Sequence, residues 1–193
     1  IYAFAFLPLY ILLDYRHPWQ YEMEMKPYRE SPGNVFYFPE TIPDCATDIK
    51  FELRPTVMQA KGYITLSFIA DDAYIRECKE KYIDWFTEYG EYIPEPGIPL
   101  TESVFYQNSQ VNLYSIFEDN YNQYYTPELK KAFSISEKEA TETVLQWILP
   151  QNVHLTDAEL RSATQYHICD HLGQGFIVVE DTNRIIFYRD YEG

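Results

Sequence analysis

Within five residues, His167-Ile168-Cys169-Asp170-His171 sets out four side chains able to ligate a metal. On a helix, His167 and His171 would share a face, with Cys169 or Asp170 beside them, a set that suits zinc. On a strand, the period of two puts His167, Cys169 and His171 on one face instead. Either geometry allows metal-assisted hydrolysis. The cluster lacks the glutamate that serves as general base in HExxH, and it leads into a turn containing Gly173 and Gly175. Ordinary structural roles therefore compete with ligation.

The other chemistry-bearing patterns are weaker. Glu118-Asp119-Asn120-Tyr121-Asn122-Gln123 is rich in oxygen, but it does not follow the calcium-loop spacing and has no turn glycine. No GxSxG nucleophile elbow, phosphate-cradling glycine loop or CxxC pair occurs. Asp71-Asp72 reads as a helix cap, and Glu137, Glu139 and Glu142 as the first turns of a helix. No motif asks for a cofactor.

What stands out instead is a stretch built for contact. No Lys or Arg falls between Lys81 and Lys130, whereas acids and tyrosines crowd it. Tyrosine supplies contact area at low entropic cost and stacks on partners, sugars included. Tyr106, Tyr114, Tyr121, Tyr124 and Tyr125, with Glu118 and Asp119, are the candidate partner-binding residues. The formal net charge of −15 argues against a nucleic-acid ligand and fits a basic protein partner. Three widely spaced cysteines, Cys45, Cys78 and Cys169, do not make a disulfide framework and read best as small buried hydrophobes.

The elements that must position these residues follow from periodicity. Ile49 to Leu53 and Gly62 to Ile69 alternate and predict a hairpin. After the Asp71-Asp72 cap, Ile75, Cys78, Tyr82, Trp85 and Tyr89 mark one stripe of a helix over 73–89. Val104 to Tyr106 and Val111 to Phe117 read as strands. Thr126-Pro127-Glu128 starts a short helix to Phe133, and Ser136 with Glu139 forms a capping box for another, ended by Pro150. Thr156 with Glu159 starts a helical turn before a strand at 163–169. Phe176 to Val179 and Arg184 to Tyr188 flank Asp181-Thr182-Asn183, a hairpin signal. The expected fold is α+β: an antiparallel sheet of hairpins with two or three helices on one face.

Three segments are expected. Residues 1–13 are uncharged and apolar, too few to span a bilayer alone, and read as part of a membrane anchor or signal anchor. Arg16, His17, Trp19 and Tyr21 follow as an interfacial belt. Residues 14–43, with five prolines, read as an extended stem in which 35–38 adds an edge strand. Residues 44–193 form one globular domain. The plan resembles that of single-pass bacterial envelope proteins in architecture alone. The leading expectation is a non-catalytic, membrane-tethered binding or accessory domain outside the cytoplasm whose ligand the sequence does not name, with an envelope component or a basic protein as the candidate partner. The alternatives are an acidic inhibitor or immunity-type protein acting on a basic protein, and a metal-dependent hydrolase using His167 and His171.

Overall fold

The computed structural model describes residues 15–30, 35–56, 62–89, 109–168 and 173–191. Its elements, in chain order, are β1 (Tyr15–Arg16), α1 (Tyr21–Arg29), β2 (Thr47–Arg54), β3 (Gly62–Ile69) and α2 (Asp72–Tyr89). There follow β4 (Gln110–Asn112), α3 (Leu113–Tyr124), α4 (Pro127–Phe133), α5 (Glu137–Ile148), α6 (Asp157–Ser162), β5 (Ala163–His167), β6 (Gln174–Val179) and β7 (Arg184–Tyr191). The class is α+β, as the sequence predicts.

One seven-stranded sheet carries the order β1-β2-β3-β7-β6-β5-β4, and every pairing is antiparallel. Both expected hairpins form. In the second, Asn183 takes the left-handed conformation that an asparagine tolerates and closes the turn between β6 and β7. Phe51, Leu66, Phe68, Phe176 and Phe187 project from one face into the larger core, beneath Ile75, Cys78, Tyr82 and Phe86 of α2. Ile177, Val179, Ile186 and Tyr188 project from the other face against Leu113 of α3, Leu160 of α6 and Val153. The helical cover thus extends to both faces rather than one. Strand β6 and the first half of β7 are buried on both sides, which explains the continuous apolar runs at Phe176 to Val179 and Ile185 to Tyr188.

Helix α5 lies outside α3 as a further layer, with Ala140 and Val144 against Phe117, Tyr121 and Tyr125. The capping boxes at Ser136/Glu139 and Thr156/Glu159 form as expected, as do the Thr126 cap and Asp71, which accepts from the Tyr74 N–H.

Two expectations need correction. The stretch 14–43 is not an extended stem. Pro18 starts a 3-10 turn, α1 follows, and Tyr21, Met25, Val35, Tyr37 and Phe38 are buried in the larger core. Residues 35–38 make a turn, closed by the Phe38 N–H on the Val35 carbonyl, rather than a strand. Likewise, the strand expected at Val111–Phe117 ends at Asn112, whose side chain accepts from the Ser115 N–H and starts α3. Residues 1–13 and the strand expected at 104–106 lie outside the described residues. Among the described residues, no helix is long and apolar enough to cross a membrane.

Several of the nineteen tyrosines are structural pins. Buried phenols need partners. Tyr21 donates to the Pro39 carbonyl, Tyr37 to the Tyr188 carbonyl at 2.7 Å, and Tyr82 to the His167 carbonyl at 2.8 Å. Each ties segments far apart in sequence, and burial raises the pKa of Tyr21 and Tyr37, so both stay protonated.

Candidate functional site: a groove at the end of the sheet

The chain's large cavity, about 1450 Å³, lies where β5, β6 and β7 run out beneath α5. Its floor comes from the strand ends: Gln165 and His167, Gly173 and Gln174, and Arg189 to Tyr191. One wall is the last turns of α5 with the segment 149–155, and Ile116 and Asn120 of α3 stand behind it. Two bonds fix that segment over the sheet. The Gln151 N–H donates to Asp190 Oδ2 at 3.0 Å, and Asn152, in a left-handed conformation, donates to Glu52. The Asp190 N–H in turn reaches the Gly173 carbonyl at 2.7 Å.

A glycine shapes the floor. Gly175 lies opposite Tyr188 in the β6–β7 pairing and has φ of +152°; a Cβ there would stand 2.0 Å from the Tyr166 carbonyl and 2.9 Å from the Tyr188 hydroxyl. The missing side chain lets the Tyr188 phenol lie across β6 toward β5. There it accepts from Gln165 Nε2 at 2.8 Å and comes within 3.4 Å of His167 Nδ1. A phenol that accepts from Gln165 has its own proton to direct at Nδ1 when the imidazole carries its proton on Nε2. Burial pushes His167 down to about 4, so the ring is neutral at physiological pH, and it keeps the Tyr188 hydroxyl protonated.

The remaining groups set polar heads within a lining whose exposed surface is more apolar than polar. Gln174 is only 7% exposed, and its Oε1 has no hydrogen-bond partner among the described residues. Six carboxamides line the groove: Asn120, Gln146, Gln151, Asn152, Gln165 and Gln174. Trp147 is 56% exposed at the rim, yet it is held edge-to-face by Tyr124 at 5.4 Å and tilted against Tyr125 at 6.4 Å. No serine, threonine, cysteine or lysine is found among the described lining residues. The arrangement can bind and orient. The groups there that could act as nucleophiles are the carboxylates of Glu142 and Asp190, the imidazoles of His154 and His167 and the Tyr191 phenol.

The residues singled out from sequence fall in two places. Of the metal-ligand cluster, His167 lines the groove, while Cys169 and His171 lie outside the described residues. Among the described residues, no three His, Cys, Asp or Glu side chains gather as a metal site. Tyr114, Phe117, Tyr121 and Tyr125 form a ring column along α3, with centroid spacings of 6.4, 5.5 and 5.8 Å. That column serves the α3–α5 packing. Tyr125 is buried, Arg161 stacks on Tyr114, and Lys130 both covers the Tyr121 ring and donates to its hydroxyl at 2.8 Å. Tyr124, Glu118 and Asp119 are exposed; Tyr106 is outside the described residues. Cys45 and Cys78 are free thiols, and burial pushes Cys78 up to about 12.

The groove itself is not legible in sequence. Its amides come from α3, α5, a loop and two strands, with no common spacing. The one local hint is Gln165 and Gln174 set in strands of otherwise apolar or β-forming residues. Comparison with protein-family models, with curated proteins and with solved structures returns no match.

Proposed function

We propose that this chain is a non-catalytic binding domain, tethered to a membrane through its N-terminal apolar segment and facing away from the cytoplasm, and that it takes its ligand in the groove under α5. The observation that carries the reading is the groove floor. A buried amide oxygen without a partner costs roughly 1–3 kcal/mol to leave unmet, so Gln174 is arranged for a donor that arrives from outside. The apolar, uncharged run 1–13 supports the tether.

The test uses single cysteines in the full chain, read against the unsubstituted chain as background. Gln151→Cys sits at the groove, and Glu80→Cys sits on exposed α2 across the sheet. A membrane-impermeant maleimide should label both on intact cells, and residue 151 should label more slowly there than in purified protein. No labelling on intact cells would refute the outward orientation. Equal relative rates at both positions in cells and in purified protein would refute an occupied groove.

A second reading has its own support. Glu118 and Asp119 are exposed on α3 near exposed Tyr124, in a chain of net charge −15. A basic protein docking on that face would associate quickly and in a salt-dependent way, whereas groove binding would be nearly indifferent to salt.

A further inference from the structure

The groove's chemistry narrows the class of ligand, on the reading that it is a binding site. We infer that it accepts a neutral oligosaccharide chain. Three observations converge on this.

The first is the type of polar group. A carboxamide donates and accepts through a planar head, and a sugar hydroxyl also does both. Six carboxamides line the groove; Asn120, Asn152 and Gln165 each spend one donor on Ile116, Glu52 and Tyr188, and the groups that remain match a ligand that presents many hydroxyls and no net charge. The fully charged side chains along the described lining are Glu142, Asp190 and Arg189, so neither sign dominates. An anionic ligand would also approach a chain of net charge −15 against its field.

The second is Trp147. An exposed indole normally has rotamer freedom to lose on binding. This one is already braced by Tyr124 and Tyr125 while more than half of it stays open at the rim. A pre-positioned aromatic platform beside amides stacks on the apolar face of a pyranose while the amides meet its hydroxyl edge.

The third is size and the placement of apolar groups. A volume of about 1450 Å³ exceeds the roughly 300–1,000 Å³ of sites for compact small molecules and suits a chain of sugar units. An extended peptide would call for open apolar anchor pockets. The apolar residues of this wall face the groove only in part: Leu145, Leu149 and Leu155 also pack on the core of the sheet's second face, and Ile148 on the α3–α5 layer.

The experiment titrates the full chain with chitotetraose, cellotetraose, maltotetraose and mannotetraose, following tryptophan fluorescence and the glutamine side-chain amide signals by NMR. At least one of the four should give saturable shifts of the Gln165 and Gln174 amides and a change in Trp147 emission. Trp147→Ala should weaken that binding about tenfold or more, with the thermal midpoint falling by only a few degrees for the lost Tyr124 and Tyr125 contacts. Gln174→Leu should weaken it similarly without lowering the midpoint, because it removes the unmet oxygen, and Gln174→Glu, which keeps an oxygen acceptor there, should weaken it less. Silence from all four sugars at millimolar concentration overturns the inference. So does binding that both Trp147→Ala and Gln174→Leu leave unchanged. If residue 151 is protected on cells while every sugar is silent, the binding reading survives and a peptide becomes the ligand to seek. If protection and sugar binding both fail, the two readings fall together.

Discussion

The pair Gln165 and Tyr188 offers a quantitative test of how the groove floor is held. Tyr188 is fully buried and Gln165 is 2% exposed, so neither can turn to water if its partner is lost. Tyr188→Phe removes the acceptor 2.8 Å from Gln165 Nε2 and strands a buried donor. The cost should be about 1–3 kcal/mol, the desolvation of one unmet polar group. The Tyr37 hydroxyl bonds the Tyr188 backbone carbonyl, so that second anchor is untouched. Gln165→Leu strands the phenol instead, leaving it only the longer approach to His167, and should cost a similar amount. With both changes, two apolar groups of comparable shape face each other, and the polar atom that loses a neighbour is His167 Nδ1, 3.4 Å from the phenol in the parent chain. The double variant should then be more stable than the sum of the single losses implies, by about 1–3 kcal/mol. The assay is urea unfolding at pH 7 on all four proteins, with thermal midpoints as a check at about 2–4 °C per kcal/mol for a chain of this size. Additivity within about 0.5 kcal/mol would refute the argument, because it would show that Gln165 and Tyr188 are not each other's partners.

Two further outcomes follow from burial. Met25 is fully buried and Met23 is 61% exposed on the same helix. Met25→Ala should therefore cost about 2–5 kcal/mol and Met23→Ala less than about 0.5 kcal/mol, measured by denaturant unfolding; equal small effects would restore the stem reading of this region. His167 titrates at about 4 in the folded protein because of burial and near 6.5 unfolded. The unfolded chain thus takes up a proton that the folded one refuses, and stability should fall as pH drops from about 6.5 to about 4. The loss should be on the order of 3 kcal/mol. His167→Gln should flatten that part of the pH profile relative to the parent chain, and parallel profiles would count against it.

What could be read from sequence follows from where the folding signals reside. Capping boxes, the helix α2 and both hairpins are encoded within a few residues, so Ser136/Glu139, Thr156/Glu159 and Asp181-Thr182-Asn183 gave their elements away. The failures came where a local rule was outweighed. Counting prolines suggested a stem at 14–43, but Pro18 occupies the first position of a turn, where its missing N–H costs nothing, and Pro27 sits late in α1. Val111 to Phe117 looked like a strand because β-forming residues cluster there. Asn112 instead caps a helix, along which Leu113, Phe117, Tyr121 and Tyr125 step by four. The tyrosine-rich stretch was visible as composition, but whether a phenol is pin or contact depends on burial. The groove escaped because its floor is assembled by strand order, a long-range property.

That strand order sets a timetable for the molecule's birth. The last of the described strands, β7, is central: it alone joins the β1-β2-β3 ribbon to the β6-β5-β4 ribbon, pairing Ile64 with Arg189 and Phe176 with Phe187. A nascent chain on the ribosome can fold helices and two separate ribbons, but each ribbon keeps an open edge until residues 184–191 clear the exit tunnel. Such late, distant pairing is slow and leaves edges exposed to aggregation. Closure of the sheet, and with it the groove floor at residues 189–191, therefore waits on that strand. A chain cut short before Arg184 would yield two halves with no seam.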